Sequence, residues 1–287
     1  MRCIQDIGQD EGIFDSYVDL LEPTFERQQV LLQSKHFLCR CQRCLDPTEC
    51  GRYISSFRCP SCPSGWVSPI ISYNEKDNVL GRLWRCLDCK QEQNDMIIAI
   101  LKDIDALKQF LLKKSWSENT AEYMESAKQF EKTLSLLHNN HVLRLQYHLG
   151  MTNCLDTMEN FKEAIVHCMA VKRIVKAILR VQSGERVECY ELMADLYEKF
   201  FLQQLGSRMP DAGVDGAASP APVDKDESVS ISTNRAIRDN LEHSNRYLQK
   251  ALDTSKVCYG EDDENTLLIK DQIKKLTVPA KSATGSN

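Results

Sequence analysis

Phe37-Leu38-Cys39-Arg40-Cys41-Gln42-Arg43-Cys44, followed by Cys59-Pro60-Ser61-Cys62 and Cys86-Leu87-Asp88-Cys89, lies within the stretch from Lys35 to Lys90, which holds eight of the thirteen cysteines. Thiolates bind Zn2+ tetrahedrally in fours, and a two-residue gap lets one tight knuckle present two sulfurs to one ion. Cys59, Cys62, Cys86 and Cys89 therefore close on themselves across a 23-residue loop, as in a zinc ribbon. Cys39, Cys41 and Cys44 supply three ligands and lack a fourth. Cys50, with five residues between it and Cys44, or Cys3 could complete that site. Cys154, Cys168, Cys189 and Cys258 are scattered through helical pattern, where cysteines are usually core.

The ribbon loop also carries Trp66, Tyr73 and Trp84 beside Arg58, Lys76, Arg82 and Arg85, a combination that can stack on bases and hold phosphates. Glu75, Asp77 and Asp88 dilute that charge, and a unit this small needs aromatics to shield its metal, so a structural role is expected. Zinc binding contributes on the order of 10 kcal/mol to such a unit, comparable with a whole domain's stability.

The surrounding composition sets bounds. The 287 residues have room for about two domains. A formal charge of -5 and a pI near 5.8 argue against an electrostatic grip on nucleic acid or anionic lipid. No apolar run approaches the roughly 20 residues that a bilayer requires, and Met1 opens no charged-then-apolar leader. A reducing compartment, cytosol or nucleus, is the expectation, and there clustered cysteines hold metal rather than form disulfides.

Upstream of the cysteines, Ile13 to Leu21 reads as a strand and its exit, with Gly12 as a breaker before it. Such a strand needs sheet partners for its backbone groups, and nothing upstream can supply them. Pro23 through Ser34 reads as a helix of about three turns with Pro23 in its first turn. Beyond Lys90 the pattern is helical. Ile97 to Leu111 and Trp116 to Leu137 form one expected pair, His141 to Met158 and Phe161 to Val181 the next. Val187 to Leu205 and Asn234 to Cys258 form a third, split by the Gly-, Ala-, Ser- and Pro-rich stretch 206–233, expected to be a flexible insertion. Leu267 to Leu276 is the last helix, and residues 277–287 are expected to be a disordered tail. Phe161-Lys162-Glu163-Ala164-Ile165 resembles the second-helix opening of a tetratricopeptide repeat. His138 and His141 flank Asn139-Asn140, a turn between helices, and read as no metal pair.

Taken together, Gly12-Ile13-Phe14-Asp15-Ser16-Tyr17-Val18-Asp19, Glu26-Arg27-Gln28-Gln29-Val30-Leu31-Leu32 and Phe37 through Cys44 resemble the end of the SET domain and the post-SET zinc motif of SET and MYND domain (SMYD) proteins. Asp46-Pro47-Thr48-Glu49 and the later Cys-x-x-Cys pairs look most like the arthropod SMYD-A class. The resemblance implies a protein-lysine methyltransferase lineage that uses S-adenosylmethionine and acts on a protein substrate. Tyr17 falls where that family places a tyrosine that orients the target amine, and Phe37 where an aromatic packs on the cofactor's adenine. Cys39, Cys41 and Cys44 match the post-SET ligands, whose fourth partner comes from an upstream Asn-His-Ser-Cys segment not found in these residues. The MYND finger and the Gly-rich cofactor segment are not found either. Lys35 stands where active members often place an aromatic, and at about 4 Å and an effective dielectric near 20 it would repel a substrate ammonium by roughly 4 kcal/mol.

The expected architecture is therefore mainly α. Residues 1–34 read as a remnant of the SET C-terminus and 35–90 as a small zinc-bound post-SET and ribbon region. Residues 91–276 read as a tetratricopeptide-like helical array. The expected function is the C-terminal portion of a SMYD-type methyltransferase, inactive alone, with S-adenosylmethionine bound only in an intact relative. The alternative is a non-catalytic zinc-binding helical-repeat module that takes a peptide partner.

Overall fold

The structure, a computed structural model, describes residues 3–4, 6–13, 15–74, 76, 79–113, 119–179, 182–207 and 227–277. It is mainly α, with one small sheet. Helix α1 (Thr24–Lys35) and the short α2 (Gln42–Leu45) precede three strands, β1 (Phe57–Arg58), β2 (Trp66–Asn74) and β3 (Val79–Cys86). The helices α3 (Asp95–Lys113), α4 (Thr120–Lys128), α5 (Glu131–Leu136), α6 (Val142–Thr157), α7 (Phe161–Ile178), α8 (Gly184–Gly206), α9 (Glu227–Cys258) and α10 (Glu264–Thr277) follow.

The sheet is antiparallel in the order β1-β2-β3, with Val67 facing both Phe57 and Cys86. Because β1 pairs only with Trp66 and Val67, the rest of β2 is an edge. Pro69 sits there, where its missing N–H costs no ladder bond. Phe57, Val67 and Trp84 pack on Ile97 and Leu107 of α3, together with Leu134, Leu137, Val142 and Leu143. The ribbon is stitched to the helices through its backbone as well. His138 N–H donates to Ser56 O at 2.9 Å and Val142 N–H to Ile54 O at 2.9 Å. Ribbon and first helices thus share one core. A second core lies between α6, α7, α8, α9 and α10, with Cys168, Met193, Leu196, Ala251 and Ile269 buried in it.

Several expectations are corrected. Ile13 to Leu21 forms no strand in its described residues: no strand pairs with it there, and Ile13 is 73% exposed. Without a neighbour to take its backbone groups, an extended segment gains nothing from strand geometry. Pro23 is the N-cap of α1 rather than a first-turn residue. The expected helix from Trp116 to Leu137 is two helices, and its first residues, 116–118, lie outside the described ones. The break falls at Gln129 and Phe130, where the Phe130 N–H bonds to Ala127 O at 3.1 Å and its ring packs on Phe110 at 5.1 Å. Tertiary packing of one aromatic outweighs the continuous helical pattern there. The insertion 206–233 is shorter than expected, because α8 runs to Gly206 and α9 already begins at Glu227; residues 208–226 lie outside the described ones. The expected tail 277–287 begins at the last helical residue, Thr277, and the remainder lies outside the described residues. No helix among the described residues is long and apolar enough to cross a membrane.

The turn between α5 and α6 places His141 at the N-cap of α6, its Nδ1 accepting from Leu143 N–H at 3.1 Å with the ring 4% exposed. Burial drives its pKa down to about 3, and burial drives those of His138 and His148 down to about 4. His148 and His167 face each other Nδ1 to Nδ1 at 3.0 Å, which requires one ring to donate and the other to accept. These rings are neutral in the folded protein. Below about pH 6.5 the unfolded chain binds protons that the folded chain refuses, so stability is full above that pH and is lost as pH falls toward 4. Urea unfolding between pH 7 and pH 5 should show a falling midpoint. His141→Asn keeps an N-cap that cannot titrate, and should remove up to about 1.4 kcal/mol per pH unit from that slope. An unchanged slope would refute the assignment.

Candidate metal centre

One end of the sheet brings four sulfurs together. Cys59 follows β1, Cys62 lies in the β1–β2 turn, Cys86 ends β3, and Cys89 sits in the turn after it. Their Sγ atoms all lie within 4.8 Å of one another. Cys59 and Cys89 are 3.8 Å apart, and Cys62 and Cys86 3.6 Å. Four sulfurs at about 2.3 Å from a tetrahedral Zn2+ stand about 3.8 Å apart, so this cluster fits the ion.

Backbone bonds hold the knuckles. Cys59 N–H donates to Gly65 O and Cys86 N–H to Gln91 O, both at 2.9 Å, while Ser61 N–H points to Cys59 Sγ at 3.3 Å. Gly65 has no substitute here, because a Cβ on it would press against Cys62 Sγ and come within 2.6 Å of Cys86 Sγ. The thiols differ in acidity. Burial pushes Cys86 up to about 12, whereas the Gln91 backbone N–H and the neighbouring thiols bring the exposed Cys89 down to about 7. Binding a metal to all four releases protons, and its affinity therefore weakens as pH is lowered.

The second cluster is built differently. Cys39, Cys41 and Cys44 also bring their sulfurs within 4.8 Å of one another. Cys41 caps α2, its carbonyl accepting from Cys44 and Leu45 N–H at 3.0 and 3.1 Å. Burial raises Cys44 to about 12. Burial also opposes ionisation of Cys41, but hydrogen bonds from the Cys44 backbone and from Cys39 hold it below the usual thiol range. Neither Cys50 nor Cys3 joins this group. Three thiolates form an incomplete zinc site that a fourth donor would close.

The residues that position this cluster lie in stretches that the resemblance covers, but they carry no metal-ligand pattern of their own. Gln28 of α1 clamps Cys39, donating to its carbonyl at 2.7 Å and accepting from its N–H at 2.9 Å. Arg27 donates to Glu49 Oε2 at 2.9 Å, Thr24 Oγ1 at 2.7 Å and Glu22 O at 2.8 Å, and it lies 3.5 Å from Cys44 Sγ. Glu49 also accepts from Thr24 N–H at 2.9 Å and pairs with Arg43 at 2.9 Å. Arg27 and Glu49 are 2% and 3% exposed. The Glu49 turn runs through positive φ at Glu49, Cys50 and Tyr53, a conformation costing these residues on the order of 1 kcal/mol each. The Asp46 carboxylate supports it by accepting from Thr48 and Cys50 N–H. Sequence reading missed Arg27, Gln28 and Glu49 as site residues. Beyond the family-like stretches that hold them, the signal for Arg27 and Gln28 is that they share a helical face with Thr24 and Leu31.

Tyr17 and Phe37 are brought together edge to face, with ring centroids 6.3 Å apart. Lys35 places its Nζ 5.8 Å from the Tyr17 ring. Both rings line a groove of about 450 Å3 that also reaches Cys39, Cys41 and Cys44. Tyr17 is 63% exposed, so one side of this groove is open.

No protein-family model matches the chain. It is 40% identical over 77 residues to the SET domain-containing protein SmydA-8, isoform B, of Drosophila melanogaster, covering 26% of this chain and 16% of that protein. It is 46% identical over 44 residues to the human N-lysine methyltransferase SMYD2, covering 15% of this chain and 10% of that enzyme. The chain is related to the SMYD proteins. The matched stretches span less than a fifth of these relatives' length.

Gly65→Ala keeps all four cysteines in the chain, yet should lower zinc affinity at least tenfold in a chelator competition, because the added methyl displaces Cys62 and Cys86 Sγ. Conservation of full affinity would show that Gly65 is not needed for sulfur convergence. Cys62→Ser should abolish tight binding at the ribbon.

Proposed function

We propose that this chain forms the C-terminal portion of a SMYD-type protein-lysine methyltransferase that uses S-adenosylmethionine. What supports this reading is the meeting of Tyr17, Phe37 and the three-cysteine cluster in one groove, with the relationship to SMYD proteins beside it. In the proposed assignment the Tyr17 hydroxyl orients the target amine, a positioning and electrostatic role. The Phe37 ring stacks on the cofactor's adenine. Cys39, Cys41 and Cys44 hold one zinc, completed by a cysteine outside these residues, and Cys59, Cys62, Cys86 and Cys89 hold another. Both ions cross-link loops; neither takes part in methyl transfer.

The rest of the cofactor pocket, the MYND finger and the fourth post-SET ligand are assigned to sequence outside these 287 residues. The chain by itself is therefore proposed to be inactive. Its compartment is proposed to be cytosol or nucleus. A second reading rests on the stack of consecutive helices α6 to α10, in which the Asn160-capped α7 buries Phe161 and Ala164 against its neighbours. That array, proposed to be tetratricopeptide-like, would make the chain a zinc-stabilised module that binds a protein partner without catalysis.

Calorimetric titration of S-adenosylmethionine into the 287-residue chain should give no heat of binding. Micromolar affinity would overturn the proposed inactivity. In a chain joined to a complete SET core, Tyr17→Phe should lower methyl transfer by about two orders of magnitude with zinc content unchanged. Full activity of that variant would remove Tyr17 from its role.

A further inference from the structure

Another face of α1 lines a separate cavity of about 280 Å3, walled by β3, α3 and the start of α6. Its chemistry is mixed. Glu22, Glu26 and Asp105 face it with Arg82 and Lys108, leaving one negative charge in excess. Trp84 and the aliphatic side chains of α3 and α6 supply an apolar wall.

Glu26 is the incompletely paired group. Arg82 and Lys108 both approach its Oε1, at 3.7 and 3.4 Å, longer than the roughly 2.7–2.9 Å of a close charge-assisted bond. Its Oε2 is buried and has no hydrogen-bond partner among the described residues. A buried charged acceptor left unmet is costly, and a donor that reaches it gains correspondingly. Glu22 lies four residues earlier and forms no ion pair among the described residues. Burial, and then the charges of Asp19 and Glu26, raise its pKa. The two carboxylates thus crowd one another, and Glu26 meets its cations through Oε1 alone. The aromatic surroundings already receive a guanidinium, since Arg82 lies 4.4 Å from the Phe25 ring and 5.1 Å from that of Trp84.

Size narrows the ligand. Pockets for drug-sized molecules occupy about 300–1,000 Å3, so this cavity suits one long side chain better than a nucleotide. A planar fork with five donors suits the paired Glu26 and Glu22 carboxylates better than an ammonium does. We propose that this cavity binds an arginine side chain of a protein partner, its guanidinium between Glu22 and Glu26 and its stem along the apolar wall. The site is separate from Tyr17 and Phe37, and the proposal does not rest on the methyl-transfer reading.

The test is titration of the zinc-loaded full chain with an acetylated, amidated five-residue peptide, Ala-Ala-Arg-Ala-Ala, followed by calorimetry. Saturable binding is expected, weakened at least tenfold when citrulline replaces arginine and when Glu26→Gln is introduced. Lys108, 43% exposed, competes for Glu26, so Lys108→Ala should tighten binding and provides a variant whose folding is not at risk. Absence of saturation at millimolar peptide, equal binding of the citrulline peptide, or no response to Lys108→Ala would overturn the site. Binding of free agmatine as tight as that of the peptide would overturn its assignment to a protein partner.

Discussion

Four sulfurs held within a few ångströms of one another are the constraint on which the ribbon depends. A sheet of one two-residue strand and one hairpin cannot persist alone in water. The Cys59, Cys62, Cys86 and Cys89 cluster ties the three strands together at one end of that sheet, and the same strands present Phe57, Val67 and Trp84 to α3. Metal site and hydrophobic core are therefore two faces of one small unit. Gly65 shows how little slack exists, since a single methyl group would displace two ligands.

The three-cysteine cluster is positioned by charge instead. Glu49 is buried among Arg27, Arg43 and the Thr24 backbone, and Gln28 holds the Cys39 backbone in register with α1. Removing Glu49 would leave the buried Arg27 without its carboxylate, a loss of about 3–5 kcal/mol by comparison with other buried pairs. The helix α1 thereby becomes a shared wall. Arg27 and Leu31 line the Tyr17 groove, while Glu26 lines the arginine-sized cavity on another face.

Much of the site was legible in the chain itself. Cysteine spacing predicted both sulfur clusters, because a knuckle's reach depends on local backbone geometry and little else. Apolar spacing predicted the helices beyond Lys90, because one buried face repeats with the helical period. The expected strand from Ile13 to Leu21 failed because strand formation depends on a neighbour, which no local pattern encodes. The break at Phe130 failed to show for a similar reason: it follows from where Phe110 lies, twenty residues earlier.

By itself, then, the sequence determined the cysteine clusters, the helical character and the relationship to SMYD proteins, all of which rest on short-range spacing. Only the tertiary structure decided that ribbon and helices share a core, that Glu49 braces the three-cysteine cluster, and that Cys50 and Cys3 stay out of it. It also revealed the unmet Glu26 oxygen. Buried polar contacts join residues far apart in the chain, and a charged side chain looks the same in sequence whether it faces water or a partner.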